Sequence, residues 1–323
     1  MMTLFLTEKD VVDLLPMEAA LERVETSFLE QHRGQAPNQA RRRIFLPHVS
    51  LHYMAGALED EGVLGMKIYT VSRQAFRFVV LLYNAEDGGL LAMIEADHLG
   101  RIRTGAASGV ATKYMARPDA ETVGLIGTGR QARTQVEAVA RVRGIKSVLV
   151  HGRDEARRRA FAEEMTGRLG IDVSPAEGPE EAVRFGDVVI TATTSPHPVL
   201  LGEWLKPGTH VNAIGANMLN RRELDDATLA RAAVISVDFI EQAKEEAGDL
   251  AHGLASLGLG WDGVHELHEI VAGSFKGRTS GEEITIFKSS GIALWDVAAG
   301  VYIYRKALET GRGKEIEIFR DLD

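Results

Sequence analysis

The 323-residue chain has no cysteine. Disulfides, thiolate-bound zinc, iron–sulfur clusters and a cysteine nucleophile are therefore excluded, which fits a reducing compartment. Long hydrophobic runs are also missing: no stretch approaches the roughly 18 uninterrupted apolar residues of a membrane span, so no membrane association is expected. Met1–Asp10 has no basic segment, and its apolar run is too short for a secretion signal; a cytoplasmic protein is expected. Positive charge is not in excess. Lys and Arg total 37 against 46 Asp and Glu, a net charge of -9, with no dense basic stripe, so nucleic acid is not an expected partner. Internal repeats and low-complexity tracts are absent too. What is present is ordinary globular composition, 45% apolar and 26% charged, in a chain long enough for about two domains.

Thr7-Glu8-Lys9-Asp10 reads as a capping box ahead of Val11, Val12, Leu14 and Leu15. Pro16 can open a second helix, in which Leu21, Val24, Phe28 and Leu29 recur at helical spacing. From about 41 to 95 the texture changes to short branched runs cut by turn signals, Asn84-Ala85-Glu86-Asp87-Gly88-Gly89 being the clearest, and antiparallel strands are expected. Thr104 to Met115 reads as a helix ended by Arg117-Pro118. Beyond it, strands at 122–126, 147–151, 187–192, 210–214 and 233–237 alternate with helices such as 131–142 and 155–169. That rhythm predicts a Rossmann-type, doubly wound parallel α/β sheet. A further strand near 282–287 precedes a long helix from Ile292 to Leu308.

The strongest local signal is Gly127-Thr128-Gly129-Arg130-Gln131-Ala132, placed between a strand and a helix. Gly127 permits the tight turn, Gly129 lets a pyrophosphate approach the backbone, and Ala132 allows close helix–strand packing, so a nicotinamide dinucleotide is the expected cofactor. After the second strand comes Gly152-Arg153-Asp154. Arg153 favours NADP; a carboxylate on the ribose would favour NAD, but Asp154 is read as a helix cap.

Several motifs converge. Arg41-Arg42-Arg43 stands before Leu46-Pro47, followed by Gly65-Met66-Lys67-Ile68-Tyr69-Thr70, Arg103-Thr104-Gly105-Ala106-Ala107-Ser108, the glycine turn, Asn212-Ala213-Ile214-Gly215, and Phe287-Lys288-Ser289-Ser290-Gly291. In identity, order and spacing they resemble the ornithine cyclodeaminase/mu-crystallin family. The resemblance implies a homodimer. Each subunit would have a Rossmann domain over 118–291, inserted in an α+β substrate and dimerisation domain formed by 1–117 and 292–323. It also implies NADP or NAD as cofactor and a small amino- or imino-acid substrate, with no metal.

By motif, the resemblance makes Arg41 and Arg103 the clamp for the substrate carboxylate and Lys67 the group that moves a proton. By alternation alone, Lys67 between Met66 and Ile68 would face solvent, and Arg41–Arg43 would be a solvated basic run. The expected cofactor positions are Arg103, Thr104, Gly127, Thr128, Gly129, Arg130, Gln131, Ala132, Arg153, Thr191, Ala192, Thr193, Gly215, Ala216, Asp238, Ser289 and Gly291. Asp238, at a strand end, reads equally as a helix cap, and Ser289 or Ser290 as the cap of the last helix. Two positions depart from the cyclodeaminase pattern. Asn217 stands where that enzyme has an aspartate, and His52 where it has a glutamate suited to a distal ammonium. An amide is no carboxylate base, and a histidine is a poor partner for an ammonium. Both remain candidate catalytic positions. His265-Glu266-Leu267-His268-Glu269 lacks metal-ligand spacing and reads as an amphipathic helix face.

The expected activity is oxidoreduction at the C–N bond next to a carboxylate, as in an imine reductase or amino-acid dehydrogenase. The alternatives are ornithine cyclodeamination and a non-catalytic NAD(P)-binding role like that of the crystallin members.

Overall fold

The computed structural model describes residues 2–318. Two compact units are present: the chain up to Thr104 together with the chain from Gly291 onward, and Gly105–Ser290.

The first unit opens with β1 (Met2–Leu6), α1 (Glu8–Leu14) and α2 (Met17–His32). The Thr7–Asp10 capping box forms reciprocally, and Pro16 takes the N-cap of α2. An antiparallel meander follows: β2 (Arg42–Phe45), β3 (Val49–Leu58), β4 (Val63–Ser72), β5 (Phe76–Asn84) and β6 (Leu90–Glu95). β1 joins β6 in parallel. α3 (Asp97–Met115) begins earlier than its small-residue stretch suggests and runs from the first unit into the second.

The second unit contains β7 (Thr122–Ile126), α4 (Arg130–Val142), β8 (Ser147–His151), α5 (Glu155–Leu169), β9 (Asp172–Pro175), α6 (Pro179–Phe185), β10 (Val188–Thr191) and β11 (His210–Ala213). It continues with α7 (Asp226–Ala230), β12 (Ala232–Val237), α8 (Ile240–Glu246), α9 (Gly248–Ser256), β13 (Val264–Glu266), α10 (Leu267–Val271) and β14 (Ile284–Lys288). Its eight strands are ordered β13-β12-β14-β11-β10-β7-β8-β9, all parallel. The chain winds outward from β7 through β8 to β9 and from β10 through β11 toward β12 and β13, and β14 then inserts between β11 and β12. Leu125, Val148 and Ile190 pack into one core, and Val189, Val211 and Ile286 into another.

The chain returns to the first unit through α11 (Ala293–Thr310) and β15 (Lys314–Glu317), which pairs antiparallel with β1. The first sheet is thus ordered β15-β1-β6-β5-β4-β3-β2. One face, carrying Met54, Val80, Leu82 and Ile94, is buried, and α2 and α11 pack together in this unit.

The division between the units falls at 104/105 inside α3, not at the 117/118 step read from Pro118. The second half of α3 belongs with the parallel sheet. A side chain at Gly105 would lie 2.4 Å from the Thr134 carbonyl oxygen of α4, and Asn212 on β11 donates to Thr112 Oγ1 at 2.9 Å. The 265–269 stretch is not one helical face: β13 ends at Glu266, which caps α10.

Gly124 marks the tightest approach in the parallel sheet. A Cβ there would lie 1.9 Å from the Ala182 carbonyl oxygen on α6, and backbone cannot swing aside as a side-chain tip can. Gly124→Ala is expected to lower unfolding free energy by about 3 kcal/mol or more in chemical denaturation. Gly167→Ala, with nothing within 4 Å and a helical position in α5, should raise it by about 0.5–1 kcal/mol.

Candidate functional site

Cationic side chains gather in the first unit. Lys67 on β4, Arg103 on α3 and Arg41 just before β2 are each at most 4% exposed. Neither the solvent-facing reading of Lys67 nor the solvated-run reading of Arg41 holds. Asp296 on α11, fully buried, joins two of them: Lys67 Nζ donates to its Oδ1 at 2.7 Å and Arg103 Nε to the same oxygen at 3.1 Å. Arg103 Nη2 stands 3.0 Å from Oδ2. Arg41 Nη2 donates to the Gly291 carbonyl at 3.0 Å.

Two glycines make room for these groups. A Cβ on Gly100 would lie 2.9 Å from Lys67 Nζ, and one on Gly291, whose φ is +78°, would lie 2.8 Å from Arg103 Nη1. Gly291, expected among the cofactor positions, thus stands in the cation cluster. Thr104 turns its hydroxyl back to the Gly100 carbonyl at 2.7 Å.

Asp296 faces two basic groups, Lys67 and Arg103, and Arg103 Nη1 is buried with no acceptor among the described residues. Burial and the neighbouring Arg103 charge push the Lys67 ammonium down to about 8; Asp296 pulls the other way, and Arg41 adds to the depression. An anion entering this cluster would satisfy that donor. His52 lies nearby on β3, its ring 4.6 Å from Tyr69 and its Nε2 2.7 Å from Ser50 Oγ. Burial, then Arg43 and Arg41, lower it to about 4, so it is neutral at pH 7.

The second unit holds the glycine turn in the expected context. Gly127 has φ +116°, and a Cβ there would meet the Ala192 carbonyl oxygen at 2.4 Å. Gly129 is the N-cap of α4 and offers no side-chain cap, with open space around it: the nearest atom to an added Cβ is 4.0 Å away. Gln131 Oε1 is buried with no hydrogen bond among the described residues, and Ala132 is fully buried. Thr128 packs against Gly152, and Arg130 is exposed. These features fit a bound dinucleotide phosphate.

Opposite the turn, a carboxylate that sequence reasoning missed binds the loops after β10 and β11. Glu223 is fully buried. It accepts from Thr191 Oγ1, Thr193 N and Oγ1, and the backbone N–H groups of Gly215 and Ala216. Glu223 N and Leu224 N donate to Asp249, itself 3.1 Å from the buried Lys288 Nζ. Four expected cofactor positions are therefore tied to Glu223. Asn217, half-buried, follows them in the same loop.

Asp238 is not a helix cap, since Phe239 takes that place on α8. Its Oδ2 accepts from Ser289 Oγ at 3.0 Å and Ser290 N at 2.9 Å, while Ile292 caps α11. The serine-cap reading therefore fails: strand ends carry carboxylates that tie neighbouring loops. Asp154 does cap α5, accepting from Arg157 N at 3.0 Å, and Arg153 beside it is exposed. The signal for Asp296 was a single carboxylate inside the apolar run Ile292-Ala293-Leu294-Trp295-Asp296-Val297; such a charge is buried only when paired.

The chain belongs to the ornithine cyclodeaminase/mu-crystallin family, whose model matches residues 1–311. A Δ1-pyrroline-2-carboxylate reductase of Bacillus cereus is 38% identical over 295 residues, 88% of each chain. Among solved structures, the Δ1-pyrroline-2-carboxylate reductase of Thermococcus litoralis, in complex with NADH and L-proline, aligns with a TM-score of 0.93 at 37% identity over 97% of this chain and all of that one. An archaeal alanine dehydrogenase dimer with bound NAD aligns at 0.93 and 35% identity, over 99% of this chain and 100% of that one.

The lowered Lys67 ammonium has a consequence for stability. Between pH 8 and its unperturbed value of 10.5, the unfolded lysine holds a proton that the folded one has released. Stability should therefore rise with pH across that window, by up to about 3 kcal/mol from this residue. Urea denaturation of wild type and Lys67→Met at pH 7.5 and 10 isolates the effect: the wild type should gain relative to the variant. Equal pH slopes would mean that the lysine is not depressed.

Proposed function

We propose that the protein is an NAD(P)-dependent oxidoreductase acting at the C–N bond of a small α-imino or α-amino acid, and that it works as a homodimer. The observation that carries this reading is the buried cation cluster of the first unit, in which Arg103 Nη1 has no acceptor among the described residues and stands beside a proton-bearing lysine. Arg41 and Arg103 bind the substrate carboxylate. Asp296 grips one edge of the Arg103 guanidinium and so aims Nη1 at the ligand. Lys67, held by the same carboxylate, gives its proton to the substrate nitrogen on reduction and recovers it on oxidation. Near pH 8 an ammonium of that acidity serves in both directions. The nicotinamide, when bound, supplies or accepts the hydride at the α-carbon. Gly127, Thr128, Gly129, Arg130, Gln131 and Ala132 would hold the pyrophosphate. Glu223 keeps Thr191, Thr193, Gly215 and Ala216 in place at the strand ends. Relatives that reduce Δ1-pyrroline-2-carboxylate or are alanine dehydrogenases support the reaction class.

NADP is the preferred cofactor in this reading. Asp154 is engaged at the α5 N-terminus, which leaves the exposed Arg153 as the group for a 2′-phosphate. Ornithine cyclodeamination is disfavoured because Asn217 and a neutral His52 stand where carboxylates would be needed. The homodimer reading rests on the sheet face opposite Lys67. Ile44, Leu51, Tyr53, Met66, Ile68 and Val79 lie there, apolar and none of them buried. A second copy covering this face fits the archaeal alanine dehydrogenase dimer.

Purified protein should oxidise NADPH or NADH with Δ1-pyrroline-2-carboxylate, or with pyruvate plus ammonium. Lys67→Met should cut kcat by about a hundredfold or more while cofactor binding persists. Arg153→Ala should raise KM for NADPH about tenfold, and that for NADH less. Full turnover by the lysine variant would remove Lys67 from the mechanism. Proline made from ornithine without net cofactor change would establish the lyase instead. Cofactor binding without turnover of any substrate would leave a binding protein.

A further inference from the structure

Lys288 ends β14, a strand buried along its whole length, and is itself fully buried. A lysine takes such a place only when its ammonium is paired. Nζ donates to the carbonyl oxygens of Ala216 at 2.5 Å and Ala213 at 3.3 Å, and it stands 3.1 Å from Asp249 Oδ2. Register between β11 and β14 sets Lys288 beside Ala213, so its side chain folds over the point where β11 gives way to its loop.

Glu223 holds the same loop from the amide side. Its Oε1 accepts from Thr193 N and Oγ1, both at 2.7 Å. Its Oε2 accepts from Thr191 Oγ1 at 3.0 Å, Gly215 N at 2.6 Å and Ala216 N at 3.2 Å. These donors fill the acceptor sites of an ionised carboxylate. Protonation would remove an acceptor site and leave one buried donor unpaired, so the arrangement requires the anion. The loops after β10 and β11 are also locked to each other. A Cβ on Gly215 would lie 2.1 Å from the Thr193 carbonyl oxygen and 2.5 Å from Glu223 Oε1.

A fully buried anion requires a counter-ion. The charged groups acting on Glu223 are Lys288 of β14 and Asp249 of α9. Burial raises its carboxyl above the ordinary value; Lys288 opposes that rise and Asp249 adds to it. One ammonium thus serves two buried carboxylates. Arg221 of the same loop and His252 of α9 bond instead to the carbonyl oxygens of Thr194 at 2.6 Å and Leu219 at 2.8 Å.

Resting on the oxidoreductase reading above, we propose that Lys288 is a positioning residue for the dinucleotide: its charge keeps Glu223 ionised, and the ionised carboxylate holds Thr191, Thr193, Gly215 and Ala216 in the form that binds the cofactor. These four residues lie at the carboxyl edge of the parallel sheet, where ligands of such sheets bind. Lys288 acts through Glu223 and carries no step of the reaction.

Lys288→Gln keeps a donor for the two carbonyls and removes the charge. Kd for NADPH and NADH is measured by fluorescence between pH 6 and 9 and expressed as the ratio of variant to wild type, so that ionisation of the cofactor phosphate and of Lys67 cancels. As pH falls from 9 to 6 the ratio should grow about tenfold or more, because Glu223 takes up a proton when its counter-ion is gone. Adding Glu223→Gln should weaken binding further but make the ratio flat. A flat ratio in Lys288→Gln, or a slope that survives Glu223→Gln, would overturn the proposal and leave the oxidoreductase reading standing. If Lys288→Gln fails to fold, the wild type decides by NMR of protein labelled with 13C at the glutamate carboxyls. The Glu223 resonance should have the shift of an ionised group at pH 7, and a protonated shift there would overturn the proposal. Wild type that binds neither nucleotide would overturn the oxidoreductase reading and this role with it.

Discussion

One buried carboxylate organises the chemistry of the first unit. Asp296 on α11 takes Lys67 from β4 and Arg103 from α3 on a single oxygen. Removing any of these ions from water costs several kcal/mol, and the mutual attraction offsets that cost only because all the contacts are short and shared. The arrangement is therefore poor as a stabilising device. Its value lies in what it leaves over: a lysine lowered to about 8 and, among the described residues, a guanidinium nitrogen without an acceptor. The small residues around it serve the same end. Gly100 and Gly291 occupy the two points where any side chain would collide with the working nitrogens of Lys67 and Arg103.

The second unit repeats the strategy with opposite polarity. Glu223 collects backbone and hydroxyl donors from two loops at the carboxyl edge of the parallel sheet, and Asp238 does so for Ser289 and Ser290. A carboxylate taking several such donors replaces the water those N–H groups would otherwise require. The loops at the sheet's binding edge can then stay in place with little apolar packing of their own. Lys288, buried against Asp249 and the Ala216 carbonyl, closes the network.

The parallel sheet was legible because its signals are local: branched runs of the right length, a glycine turn between strand and helix, and caps such as Thr7 and Asp154. β1, β9 and β15 were not legible, since strands of four or five residues carry almost no periodicity. The boundary inside α3 was hidden because a continuous helix has no turn signal where it passes from one unit to the other. Arg41, Lys67 and Arg103 were found through their motifs. Their partner was not: Asp296 lies 229 positions from Lys67 and 193 from Arg103, and no spacing rule spans that distance. For Asp238 and the two serines the cap alternative fails, because capping and strand-end bridging use the same short polar residues and the sequence pattern does not separate them.

The alternation in β4 carries a last inference. A strand with one wet face normally buries its apolar set and exposes its lysine. Here Lys67 is buried, while Met66 and Ile68 on the other face keep part of their surface open, as do Tyr53 and Leu51 beside them on β3. Shifting the strand by one residue would put Met66 or Leu64 where Gly65 now passes, and a Cβ there would lie 2.8 Å from the Leu81 carbonyl and 2.9 Å from Val297 of α11, so close packing under α11 holds the register that buries Lys67. Asp296 supplies half of the reason by rewarding the buried ammonium. The close approach of Gly65 to α11 supplies the other half, and it leaves the Met66 and Ile68 face open to the second copy proposed above. A second copy presenting the same face covers it most simply, because a two-fold axis makes one surface its own complement. On the proposed dimer reading, the register that buries Lys67 and the register that offers Met66 and Ile68 to a second copy are one choice, made once along β4.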